Sequence, residues 1–407
     1  MTESKTSLFK GTRCRICTGC GRCVGSNDMH IVTSFRKEEV IKESLPVGDA
    51  GEAFFACNKN GAYIVTVDIG TTTIAMQLRE KDEGTIMDTY TCLNPQREFG
   101  ADVLSRIQAA SDCNVRERMK EAAREAVYQG IERFRKKVNL IEEIRIAANT
   151  TMIHLFMGYD VSGLGHYPFE TENLSEIHTI LWGIPVLILP GVSAFVGADI
   201  VAGITALSMA EQEAITLLLD LGTNGEMVLG NKDKLLATST AAGPAFEGNA
   251  DCYGADLMAL VARLLEDNGI LDEMGLLAEP YFTEGITIGG VKITQQYIRQ
   301  LQMAKAAICS GIEILCKKYG IYDYNKISKV YLAGGMGFFL DPMAAAKLGL
   351  YPYELAGKTV AVGNAALEGA FLYGKEGWGA KDIEVINLAT EKEFQETYIR
   401  NMNLSPC

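Results

Sequence analysis

The stretch YIVTVDIGTTTIAMQL, beginning at Tyr63, returns 152 residues later as ITLLLDLGTNGEMVLG, beginning at Ile215. Each copy is a run of β-branched and aliphatic residues, a tight Asp-x-Gly turn, and a second such run, the pattern of a β-hairpin. A hairpin repeated at this distance implies an internal duplication, with two similar half-domains facing each other. Apolar residues at three- and four-residue spacing predict helices over 100–110, 116–138 and 294–320, the last ended by Gly320 at its C-cap. Strands alternating with helices make the main body α/β. The tail from Asp382 predicts a short strand and an amphipathic helix packed on the second half-domain. The expected division is a small cysteine-bearing unit over 1–61, then half-domains over 62–210 and 211–407.

Charge narrows the partners. The 407 residues carry a net charge of −13, which disfavours nucleic acid as a ligand. The local basic run RFRKKV (133–138) reads as a solvated helix face. Thr179 to Ala198 is twenty residues without a charge, long enough to span a bilayer. Pro185 and Pro190 would break such a helix, so the segment reads as a strand (186–189), a turn and a buried helix, and no membrane span is expected. The N-terminus lacks a basic–apolar–small pattern, so a cytoplasmic location is expected.

The hairpins carry the chemistry. A sharp Gly-Thr turn points backbone N–H groups and hydroxyls into one concavity, which suits phosphate oxygens. Candidate phosphate contacts are Gly70, Thr71, Thr72 and Thr73 in the first hairpin and Gly222, Thr223, Asn224 and Gly225 in the second. The aspartate ending the first strand of each hairpin, Asp68 or Asp220, can hold Mg²⁺, usually through water. KVYLAGGMGFFLDP (329–342) adds a buried strand followed by two glycines, which let the backbone approach a flat ligand such as an adenosine.

The order VDIGTTT, LDLGTNGE, LAGGMG resembles the superfamily of acetate and sugar kinases, heat-shock chaperone ATPases and actin. NPQREFGADVLSRI (94–107), NTTMIHLFMG (149–158), LPGVSAFVGADIVAGI (189–204), STAAGPAFEG (239–248) and LQMAKAAICSGIEIL (301–315) resemble one branch, the reductive activators of corrinoid-dependent proteins. The resemblance covers about residues 60 to 400. It implies a duplicated, two-lobed actin-like ATPase fold preceded by a small ferredoxin-like iron–sulfur domain. It also implies ATP-driven transfer of one electron to cobalt(II) of a corrinoid protein, restoring cobalt(I), with a ferredoxin or flavodoxin as donor. Carried over by position, Asp68, Asp199 and Asp220 are candidates for metal and water positioning. Gly334, Gly335 and Met336 would line the adenosine, and Gly243 and Glu247 would add nucleotide contacts. Gln302 and Lys305, one turn apart on one helix face, would reach the base or ribose, with a solvent-facing lysine as the alternative. Asp199 is either buried and functional or the exposed end of a helix. His154 reads as a satisfied core histidine. The superfamily often forms homodimers, but no feature of this chain demands one.

Cys14, Cys17, Cys20 and Cys23 fall at every third position. Structural zinc sites usually space two CxxC pairs by a longer loop, whereas CTGCGRCV resembles the cluster loop of bacterial ferredoxins. Asn27 stands where that loop has its fourth cysteine, so a second cluster is not expected. A 4Fe–4S cluster on Cys17, Cys20, Cys23 and Cys57 is the expectation, with Cys14 as the alternative fourth ligand. The cluster unit would then lie against the first hairpin strand. The short N-terminal unit departs from better-known family members, which carry a plant-type 2Fe–2S domain or C-terminal 4Fe–4S motifs. Cys92, Cys113, Cys252, Cys309 and Cys316 read as core or surface thiols, and the terminal Cys407 as incidental. The rival functions are activation of another low-potential iron–sulfur enzyme such as a 2-hydroxyacyl-CoA dehydratase, a small-molecule kinase with a structural zinc, and a non-catalytic ATP sensor.

Overall fold

The computed structural model describes residues 33–35, 61–243, 254–267, 269–374 and 383–407. Cys14, Cys17, Cys20, Cys23, Cys57 and Glu247 lie outside the described residues. The strands are β1 (Tyr63–Ile69), β2 (Thr73–Glu80), β3 (Ile86–Leu93), β4 (Ile141–Ala148), β5 (Ile177–Leu181), β6 (Ile184–Ile188), β7 (Thr216–Leu221), β8 (Asn224–Asn231), β9 (Lys234–Ala241), β10 (Ile286–Ile288), β11 (Val291–Ile293), β12 (Lys329–Ala333), β13 (Thr359–Gly363) and β14 (Ile383–Val385). The helices are α1 (Val103–Ala109), α2 (Cys113–Arg135), α3 (Thr150–Met157), α4 (Ala198–Leu207), α5 (Gly254–Glu266), α6 (Tyr281–Glu284), α7 (Gln295–Tyr319), α8 (Gly334–Phe339), α9 (Pro342–Lys347), α10 (Ala365–Leu372) and α11 (Phe394–Arg400).

The duplication is visible in the strand order. The first sheet runs β3-β2-β1-β4-β6-β5 and the second β13-β12-β7-β8-β9-β14. In each, an antiparallel meander of three strands is followed by a parallel neighbour of its first strand, β4 beside β1 and β12 beside β7. The copies differ at their edges. β5 pairs antiparallel with β6, whereas β14, supplied by the tail as expected, pairs parallel with β9.

Two helices occupy the space between the sheets. In α4 every residue except Asp199 is buried, as its almost uninterrupted apolar sequence requires. Its Ala198 and Ala202 join the core of the first lobe, together with Ala366 and Ala370 of α10. Ile200, Val201, Ile204 and Ala365 pack instead with Leu218 and Val228 of the second sheet. The crossing of α4 and α10 is tight, since a Cβ built on Gly369 would lie 1.7 Å from the Ala202 carbonyl oxygen. The outer faces are covered by α2 and α3 on the first sheet and by α5 and α7 on the second. The uncharged run 179–198 is thereby divided among β5, β6, a loop and the start of α4. Among the described residues, no helix is long and apolar enough to cross a membrane. α7 ends at Gly320 in the left-handed conformation (φ 87°), as the sequence predicts.

Candidate nucleotide and metal site

The turns of the two repeated hairpins meet. Thr72 Oγ1 lies 3.1 Å from Thr223 Oγ1, joining the lobes through hydroxyls separated by 151 residues in the chain. The first turn is braced from outside its own hairpin. Asn94 Nδ2 donates to the Gly70 carbonyl at 2.8 Å, and the Asn94 N–H donates to the Thr72 carbonyl at 2.9 Å. Asn149 Nδ2 donates to Thr71 Oγ1 at 3.1 Å. Both asparagines also cap a helix with their side-chain oxygen, Asn94 through the Gln96 N–H and Asn149 through the Met152 N–H. The turn is thus held by rigid elements and needs no ligand to shape it.

Behind the turns, four acids converge. Asp68 is the penultimate residue of β1 and Asp220 occupies the matching position of β7. Asp199 stands in the first turn of α4, and Glu226 faces Asp220 across the β7–β8 hairpin. The three aspartates keep some contact with solvent and Glu226 is buried. Desolvation pushes Asp68 up to about 6, a hydrogen bond from Asn364 partly offsetting it. Burial and the Asp68 charge raise Asp220 to about 7. Burial, then the charges of Asp220 and Asp68, raise Asp199 to about 8. Glu226 is raised well above the ordinary carboxylate range by burial, then by Asp199 and Asp220. Carboxylates crowded this way repel one another unless protonated or matched by a cation. Their oxygens are hard donors of the kind Mg²⁺ takes, usually through its waters, but among the described residues no three acids are placed to hold one metal ion directly.

Asp199 is therefore recessed among the acids and is not a solvated helix end. Two residues of this group escaped the sequence reading. Glu226 stands in the motif LDLGTNGE, and its signal is positional, because the pairing of Leu221 with Gly225 leaves three residues between them and puts Glu226 opposite Asp220. Asn364, from the start of α10, donates its Nδ2 to Asp68 Oδ2 at 2.7 Å; no local pattern marks it.

Several glycines expected at the nucleotide are required by the protein itself. A Cβ on Gly225 would lie 2.0 Å from Ile308 Cδ1 of α7. At Gly334 (φ 79°) it would lie 2.5 Å from Asp220 Oδ1, so this glycine lets the chain pass close over the carboxylate. Gly335 is exposed, whereas Met336 is buried in the core of the second lobe. Gly243 ends the described part of its loop with φ 68°.

Gln302 and Lys305 differ most from expectation. Both are buried, each 1% exposed, beneath the C-terminal tail. Gln302 Nε2 donates to the carbonyls of Met274 at 3.0 Å and Met402 at 2.9 Å, and Lys305 Nζ donates to the Asn403 carbonyl. The tail takes the donors that a base or ribose would need, so neither expectation, ligand contact nor solvated lysine, describes this geometry. Cys407 of the tail, expected to be incidental, lies against Cys309 of α7. His154 is a satisfied core residue. Its Nδ1 bonds the Thr150 carbonyl at 2.7 Å, and burial holds its pKa below the usual value.

Comparison with known proteins follows the same division. The family model of the RACo middle region matches residues 63–212, and that of the C-terminal, ASKHA domain of RACo matches 214–270 and 274–406. A corrinoid activation enzyme of Eubacterium limosum, RamQ, is 30% identical over 418 residues, spanning 83% of this chain and 70% of that protein. The chain belongs to the family of reductive activators of corrinoid proteins. A more distant relative, the methylated amine-specific Co(II) corrinoid protein reductase of Methanosarcina barkeri, is 20% identical over 75% of this chain and 68% of that one. Among solved structures, a reductive activator for a corrinoid, iron–sulfur protein superposes with a TM-score of 0.73 at 26% identity, covering 85% of this chain and 66% of the other. The match thus takes in about two thirds of each relative. As a family member, the chain has the duplicated, two-lobed actin-like architecture that its strand order displays.

Proposed function

We propose that this activator uses ATP to drive one electron onto cobalt(II) of a corrinoid protein, giving cobalt(I). The observation that carries the reading is the meeting of the hairpin turns at Thr72 and Thr223 above the four acids. Phosphate oxygens bound between the turns would accept hydrogen bonds from their N–H groups and hydroxyls, with Mg²⁺ held near Asp68, Asp199, Asp220 and Glu226 through its waters. In this reading, Asp68 and Asp220 also orient the attacking water, and α4 and α10 carry the relative movement of the lobes as they close. A 4Fe–4S cluster on Cys17, Cys20, Cys23 and Cys57 would supply one-electron chemistry. Its proposed ligands are outside the described residues.

The energetic requirement is modest. Moving one electron uphill by 100 mV costs about 2.3 kcal/mol, so a nucleotide-driven closure can offset a few hundred millivolts. Nucleotide shifts the partner equilibrium only by its differential affinity for the two lobe arrangements. The acceptor is accordingly a corrinoid protein that docks on one arrangement, with a low-potential donor such as a ferredoxin or flavodoxin. The test mixes reduced, anaerobically purified protein with a cobalt(II) corrinoid protein, with and without MgATP, and follows the visible spectrum. Cobalt(I) should form faster with MgATP; equal rates would sink the proposal.

A further inference from the structure

Residues 33–35 rest on both lobes at once. The Thr33 carbonyl accepts a hydrogen bond from Gln77 Nε2 of β2 at 2.6 Å. The Ser34 carbonyl accepts the Asn364 N–H at 2.8 Å, and Phe35 makes an antiparallel bridge with Gly363 at the end of β13. Gly363 has φ 86°, and a Cβ there would fall 1.9 Å from the Ser34 oxygen. The contact therefore requires glycine, both for its backbone conformation and for its missing side chain.

Asn364 has three tasks in this small space. Its N–H holds Ser34, its Oδ1 accepts the Leu367 N–H at 2.8 Å and caps α10, and its Nδ2 holds Asp68. A second path joins the same helix. Gln77 Oε1 accepts Arg79 Nε at 2.9 Å, and Arg79 Nη1 reaches Glu368 of α10 at 2.8 Å. Arg79 is 3% exposed, so the start of this chain of bonds is shielded from water, whereas its Glu368 end is partly exposed. Both paths begin at residues 33 and 34 and end on α10.

We infer that Asn364 is a positioning residue that couples the seat of residues 33–35 to the carboxylate of Asp68. The inference rests on the proposed reading of the acids as the nucleotide–metal site. A ligand that reorients Asp68 cannot keep the 2.7 Å bond unless Asn364 moves. Asn364 cannot move without disturbing either the cap of α10 or the bond to Ser34. Thr33 follows Cys23 by ten residues of chain, so the seat is close in sequence to the cysteine run.

The test is hydrogen exchange on the full-length, anaerobically purified protein, with and without MgADP. In the wild type, MgADP should change protection of residues 33–35 and of the Asn364 amide by about fivefold or more, the usual lower range for coupled sites. Asn364→Ser keeps a good helix cap but is too short to reach Asp68. It should still bind MgADP while the response at 33–35 disappears. Gly363→Ala should leave 33–35 unprotected in both states and, by reciprocity, change the Kd for MgADP by the factor lost in exchange. A folded Asn364→Ser protein with a full response, or a folded Gly363→Ala protein with an unchanged Kd, overturns the coupling. A wild type that binds MgADP without any change at 33–35 also overturns it and leaves the proposed function standing. A wild type that binds no MgADP overturns both.

Discussion

Asp220 and Glu226 are direct partners in the register of the β7–β8 hairpin, two acids opposed on one face of a sheet. Like charges in that position destabilise an antiparallel pair, and here Asp199 adds a third charge to the same space. Protonation relieves such an arrangement, and in the proposed reading a cation does so at higher pH. Replacing Glu226 with Gln should therefore raise the melting temperature of the metal-free protein at pH 8 and weaken the stabilisation given by Mg²⁺ and nucleotide. Calorimetry with and without MgADP checks both signs. A lower melting temperature in EDTA would show that the repulsion is not the governing term.

The same acids make a pH prediction. Asp68, Asp220 and Asp199 rise from 3.8 to about 6, 7 and 8 in the folded protein. The folded chain then binds more protons than the unfolded chain between about pH 4 and 8, so metal-free stability falls as pH rises through that window. Mg²⁺ favours the ionised forms and should stabilise more at pH 8 than at pH 6. Urea melts in EDTA and in Mg²⁺ at several pH values measure this, and a metal-free stability that rises with pH contradicts it.

Asp68→Asn tests the first carboxylate directly. Loss of a group that positions metal and water should lower ATP hydrolysis by about 10²-fold or more, with the fold retained because Asn364 can still bond the amide oxygen. Steady-state phosphate release together with a circular dichroism melt separates loss of chemistry from loss of structure.

Lys305 and Gln302 should behave as structural residues. Lys305→Met, which keeps most of the volume and removes the buried charge, should leave the Kd for MgADP within about threefold. Lys305→Ala should cost about 2–4 kcal/mol in a denaturant melt, as for other large-to-small core changes. A large loss of nucleotide affinity in the Met variant would return Lys305 to the ligand.

The cysteines are separated by iron and sulfide counts on anaerobically purified variants. Cys57→Ser and Cys20→Ser should lose most of the iron, and Cys14→Ser should keep it. The opposite result for Cys14 and Cys57 assigns the fourth ligand to Cys14.

Much of this architecture is legible in one dimension because it rests on short-range rules. Apolar alternation and a Gly-Thr turn define each hairpin, their repetition implies two lobes, and Gly320 marks the end of α7. Asp68 and Asp220 could be named because the repeat itself aligns them. Lys305 and Gln302 could not be read correctly, since the carbonyls that bind them come from residues about 100 positions further along the chain. Glu226 lay within a quoted motif, yet its proximity to Asp199 depends on how α4 packs between the sheets.

The sequence by itself determined the hairpins, their duplication, the end of α7 at Gly320 and the family, all of which follow from local periodicity, turn chemistry and motif order, whereas α1 and α2 begin and end up to three residues from the expected bounds. Only the tertiary structure decided which polar groups share a space. It brought Asp199 and Glu226 to the two repeat aspartates, turned Lys305 toward the tail, and set Asn364 between Ser34 and Asp68. The physical reason is that hydrogen bonding and desolvation act over a few ångströms in space, and the close packing of α4 and α10 between the sheets joins residues that lie hundreds of positions apart in the chain.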